Sequence, residues 1–158
     1  MKRDRYIQNR AFSLLELVIV VAIIAILAAI AIPRMSRGSK GAGDSALSGD
    51  LAVLRNAIDI FAAEHTGTFP TAANITNQLT QYTDIDGVVS AIKDPNHIYG
   101  PYIRKIPPLP VGAEKGSTSI AAAPAVGVGW IYTASTGTIK ANCADGETDE
   151  AGKKYSEY

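Results

Sequence analysis

A single cysteine, two histidines and one tryptophan leave this sequence short of the groups on which most catalytic and metal sites are built. Cys143 has no partner within the chain, so no internal disulfide can brace an exported domain. His65 and His97 are far apart and have no cysteine neighbours, which excludes zinc-ligand spacing. There is no Gly-rich phosphate loop, no His-Glu-x-x-His and no nucleophile elbow, so the chain is not expected to be an enzyme. An excess of either charge is missing too: 15 Lys and Arg offset 15 Asp and Glu. A balanced chain offers no broad basic field for nucleic acid.

What the sequence does have is one long apolar run. Apolar residues form 47% of the chain, and they crowd into Phe12 to Ile32. As helix, that run of about 21 residues spans about 30 Å, the thickness of a bilayer's hydrocarbon core. Lys2, Arg3, Arg5 and Arg10 precede it against Asp4 alone. This asymmetry predicts a single pass with the N-terminus cytoplasmic and everything after Pro33 across the membrane. Without residues 1–11 the chain keeps 11 basic and 14 acidic groups, a net charge of −3.

Glu16 is the anomaly in that run. A carboxylate in a membrane helix costs roughly 2.5–3.5 kcal/mol even on lenient insertion scales, so it normally has a partner and a purpose. Three readings compete. A cleaved secretory signal would end near Ala29-Ile30-Ala31, but its apolar core is usually 7–15 residues and has no need of a carboxylate. A plain signal anchor has none either. In the third reading the leader is cut between Ala11 and Phe12 and the helix is kept. The new α-amino group of Phe12 then lies about 6 Å along the axis from Glu16. Between parallel helices offset along their axes, Glu16 of one subunit can meet the Phe12 amine of another, an attraction worth roughly 1–4 kcal/mol at about 4 Å.

The run Ala11-Phe12-Ser13-Leu14-Leu15-Glu16-Leu17-Val18-Ile19-Val20-Val21-Ala22-Ile23-Ile24, followed by Ala28-Ala29-Ile30-Ala31 and Pro33, closely resembles the signal of type IV pilins and type II secretion pseudopilins. The resemblance implies cleavage at Ala11/Phe12 by a prepilin peptidase and N-methylation of Phe12. It implies assembly through Phe12, Glu16 and Pro33 into a homo-oligomeric filament. Its further implications are an inner-membrane assembly platform and other pseudopilins as partners, and a location first in the bacterial inner membrane and then in a periplasmic filament. Ala11 departs from the glycine that the family almost always has before the cut.

Beyond Pro33, Gly38, Gly41, Gly43 and Gly49 each weaken a helix by about 1 kcal/mol relative to alanine. The stretch is open to two readings: a hinge above the membrane, or a helix held straight by its own domain. Leu47, Leu51, Leu54, Ile58, Phe61 and His65 then recur every three or four residues, which predicts an amphipathic helix over 44–66 packed on a sheet. Gly67 and Pro70 end it. A short helix-like stretch follows around Ile75 to Tyr82, with turns at Asp86-Gly87 and Asp94-Pro95. The run Tyr99-Gly100-Pro101-Tyr102-Ile103-Arg104-Lys105-Ile106-Pro107, with Pro108, Pro110 and Pro124 after it, predicts a fixed irregular connection rather than a strand. From Ala125 to Asn142 alternation around Trp130 and a turn at Gly137 predict a β-hairpin.

The expected architecture is thus α+β, a pilin fold. Residues 1–11 form a leader, 12–33 a transmembrane and filament-core helix, and 34–158 a head. Within the head, 67–124 is a variable loop region and 125–158 a C-terminal sheet and loop. Asp145, Glu147, Asp149 and Glu150 crowd the last segment. They read either as a solvated acidic tail or as oxygen ligands for calcium, which needs six to eight. The resemblance favours calcium, because major pseudopilins hold that ion in a C-terminal loop. It also favours a subunit of a type II secretion pseudopilus. The alternative is a type IV pilin for adhesion, motility or DNA uptake.

Overall fold

A computed structural model describes residues 13–158, with side chains described throughout except at 30–39. The chain divides into two compact units, Met1–Gly38 and Ser39–Tyr158. One helix, α1 (Leu14–Glu64), passes from the first into the second without a break. The glycine-rich stretch is therefore helical. Gly43 shows why a glycine is used there: a Cβ at this position would lie 3.0 Å from Val111 Cγ1, tighter than ordinary packing. The missing side chain lets α1 approach the 110–111 backbone.

In the second unit the stripe on α1 does what its periodicity predicts. Leu47, Leu51, Leu54, Ile58 and Phe61 are buried in one cluster with Trp130, Tyr132 and Ile139. His65 closes the stripe, stacked on Phe61 with ring centroids 3.8 Å apart. Its Nδ1 faces the Phe61 carbonyl at 2.7 Å and its Nε2 the Thr83 hydroxyl at 3.0 Å. The histidine is a packing group that ties the helix end to the next layer. Trp130 is fully buried, and its Nε1 donates to the Pro107 carbonyl at 2.9 Å.

After α1, α2 (Ile75–Thr80) realises the short helix-like stretch, followed by a two-stranded antiparallel pair, β1 (Tyr82–Thr83) and β2 (Val89–Ser90). The main sheet has the order β3 (Ser119–Ala121), β4 (Val128–Thr133), β5 (Thr138–Ala141). β4 and β5 form the expected antiparallel hairpin, with Trp130 opposite Ala141 and Thr133 opposite Thr138. At its turn Gly137 has φ +67°, and a Cβ there would overlap the Phe69 ring.

β3 corrects one expectation. The proline-rich stretch from Tyr99 to Pro124 was expected to be an irregular connection rather than a strand, yet Ser119–Ala121 pairs with β4, and in parallel. Parallel neighbours ordinarily need a crossover of a dozen residues or more. Here residues 122–127 suffice, because β3 is only three residues long and its register shifts between Ser119 and Ile120. A strand that short carries no alternation to read.

Candidate functional site

Two regions hold the residues singled out by the sequence: the start of α1 and the loop after β5. Ser13 caps the helix. The Glu16 amide donates to Ser13 Oγ at 3.1 Å, and the Leu17 amide to the Ser13 carbonyl at 3.2 Å. Ser-x-x-Glu is the pattern of a capping box, with serine as N-cap and glutamate at the third helical position. The signal was legible in the sequence, and the bond from the Glu16 amide to Ser13 Oγ is the serine's part of it. Its carboxylate is exposed in the first turn, where the helix dipole favours an anion by about 0.3–1 kcal/mol. Among the described residues the ion pairs are His97–Asp94 and Lys154–Asp145, so none involves Glu16. Ala11 and Phe12 lie outside the described residues. Pro33 falls within α1, but its side chain is not among those described.

From Leu14, which is 81% exposed, to Leu27 the large apolar side chains point outward in all directions around α1. A helix that is apolar all round needs apolar cover on every side. Among the described residues no helix is long and apolar enough to cross a membrane.

In the loop after β5 the four candidate carboxylates do not converge. Glu147 accepts the Ala113 amide on Oε1 at 2.6 Å and the Ala144 amide on Oε2 at 2.7 Å. Asp149 accepts the Lys153 amide at 2.8 Å on one oxygen and the Tyr158 hydroxyl at 2.5 Å on the other. That hydroxyl and the neighbouring amides hold the Asp149 carboxyl below its ordinary range, and the same bond pushes Tyr158 up to about 12. Asp145 pairs with Lys154 at 3.3 Å, and Glu150 lies over Gly41. Among the described residues no group of three or more His, Cys, Asp or Glu is placed to hold a metal ion. Each oxygen of Glu147 and Asp149 faces one hydrogen-bond donor of the chain itself.

Cys143 stands beside this loop, half-buried, with its thiol pushed up to about 11 by burial and then by Glu147. A thiol raised this far is a poor nucleophile at neutral pH. No local pattern singles out Asp44, which α1 contributes to the loop: it accepts the Tyr155 hydroxyl at 2.7 Å. The two residues are too distant in sequence for any local pattern to pair them.

Residues 8–32 match the family model described as the prokaryotic N-terminal methylation motif. The chain therefore carries a type IV pilin-like prepilin signal, and its α+β head behind a long N-terminal helix is consistent with the pilin fold. A motif of this kind supports a pilin-like precursor in general, and implies processing by prepilin peptidase, membrane anchoring and then assembly into filaments. No curated protein and no solved structure matched the chain.

Proposed function

We propose that the chain is the structural subunit of a type II secretion pseudopilus, anchored in the inner membrane by residues 12–33 before its helix moves into the filament core. The observation that carries this reading is Glu16 in the first turn of an all-round apolar helix, inside the matched methylation motif. Cut before Phe12, the helix presents an ammonium one turn from a carboxylate. Neighbouring subunits offset along the axis satisfy both charges. The apolar sides then cover one another as they leave the bilayer.

Two features favour a secretion pseudopilus over a surface pilus. One cysteine cannot close the C-terminal disulfide loop common in long type IV pilins. A net charge of −3 after removal of residues 1–11 does not suit DNA uptake, which depends on neutralising phosphates. Adhesion requires neither feature and remains the second reading. Mass spectrometry of the N-terminus tests the class: methylated Phe12 is expected, and an unprocessed leader refutes it. Deletion of the gene separates the machines. Loss of exported proteins from the medium with surface fibres intact supports the pseudopilus, whereas loss of surface fibres with secretion intact overturns it.

A further inference from the structure

One hydrogen bond decides how far α1 runs toward the leader. In a helix that continued past Ser13, the Glu16 amide would donate to the Phe12 carbonyl and the Leu15 amide to the Ala11 carbonyl, each four residues back. Among the described residues the ladder instead starts with the Leu17 amide on the Ser13 carbonyl at 3.2 Å, and the Glu16 amide turns to Ser13 Oγ at 3.1 Å. Ser13 itself is not helical, and α1 begins at Leu14. The residue types ahead of it are not helix breakers. Alanine, as at Ala11, is the best helix former and arginine, as at Arg10, is close behind, while Asn9 is the next residue upstream of a type that caps. A helix capped by Asn9 would take in the bond between Ala11 and Phe12.

We infer that Ser13 is a positioning residue for leader removal: by taking the Glu16 amide, its hydroxyl stops α1 short of the cut and keeps the Ala11 carbonyl out of the helical ladder. The inference rests on the processing proposed above. In that step water divides the amide between Ala11 and Phe12, leaving a carboxylate on Ala11 and an amine on Phe12. A carbonyl inside a helix is bonded to an amide and walled by side chains, so a peptidase acts on the unwound fraction of such a segment. A substrate that is competent only in part binds more weakly by that fraction. The serine hydroxyl thereby governs KM rather than kcat, and it needs no contact with the peptidase to do so.

The test takes the full-length precursor in detergent and membranes containing prepilin peptidase, with cleavage followed by mass spectrometry over a range of precursor concentrations. The parent is expected to be cut between Ala11 and Phe12. Ser13→Ala is expected to raise KM several-fold, at most about thirtyfold, with kcat unchanged, so that long incubation still completes the cut. Ser13→Asn, whose side-chain oxygen also caps a helix, is expected to restore the parent's KM. Ala11→Gly opposes a helix through the cut, so it should lower KM more in the Ser13→Ala background than in the parent. Cleavage of Ser13→Ala with the parent's KM overturns the inference. So does a slow Ser13→Ala that Ser13→Asn does not match in improvement, or on which Ala11→Gly has only the effect it has on the parent, since either result makes the hydroxyl a direct contact of the peptidase. A parent left uncut, or cut at another bond, overturns the proposed processing and the inference with it.

Discussion

Replacing Glu16 by glutamine isolates the charge on which assembly is proposed to depend. The substitution keeps side-chain length and helix propensity, and the amide of residue 16 still donates to Ser13 Oγ, 3.1 Å away in the parent. The helix cap therefore survives. What is lost is the anion. Within one subunit that removes only the dipole interaction, about 0.3–1 kcal/mol. Between subunits it removes a pair with the Phe12 amine worth roughly 1–4 kcal/mol at about 4 Å. At 1.4 kcal/mol per factor of ten, the concentration of subunit needed for filament growth rises about fivefold to nearly a thousandfold.

Residue 16 lies in the compact unit that ends at Gly38, apart from the unit that holds the core. Thermal unfolding of the Glu16→Gln head should therefore match the parent. Sheared filament yield and length should fall steeply while leader removal, read by mass spectrometry, continues. Ser13→Ala is the control: it removes the cap, at a cost of about 1 kcal/mol, but leaves the charge. Filaments of normal length and yield from fully processed Glu16→Gln protein would refute the pairing argument outright.

Three further outcomes follow from the head. Trp130→Phe removes the hydrogen bond to Pro107 and leaves a void in a fully buried site, lowering stability to urea by about 1–3 kcal/mol; an unchanged midpoint contradicts its place in the core. Gly43→Val forces Val111 away from α1, whereas nothing lies within 4 Å of a Cβ at Gly49. The first should destabilise by about 1–3 kcal/mol and Gly49→Ala should stabilise by about 1; shifts of the same sign would defeat the close-approach argument. Burial pushes Tyr132 up to about 12, while the Asn96 and His97 amides hold the Asp94 carboxyl below its ordinary range. The tyrosine's contribution is complete below about pH 10 and lost as pH rises through its folded value. The aspartate's is complete above about pH 4 and lost as pH falls through its own. The loss at high pH should thus shrink in Tyr132→Phe and the loss at low pH in Asp94→Asn, and variants that keep the parent's full losses would count against the two assignments.

The parts of the fold legible in the sequence were those written in short-range patterns. Spacings of three and four from Leu47 to His65 specify a face, and that face is the one buried. Alternation around Trp130 and the turn at Gly137 specify a hairpin, and β4 and β5 form it. Val126, counted into that alternation, is instead 95% exposed, because β4 begins only at Val128. β3 escaped because three residues make no pattern and its partner is set by tertiary packing. The helix at Gly41 and Gly43 was undecidable from propensity, since the residues that lie beside them, Glu150 and Val111, come from distant segments. The same holds for the acidic loop. Four nearby carboxylates announce a negative cluster, but which donors face them depends on Ala113, Asp44 and Tyr158, brought together only by folding.

The serine at position 13 bears on the order of events at the membrane. On the proposed cut before Phe12 one residue stands ahead of the cap, and Ser13 Oγ already takes one of the helix start's free amides, that of Glu16. On the proposed reading, leader removal adds a positive charge next to a serine cap that is made by the chain beyond the cut.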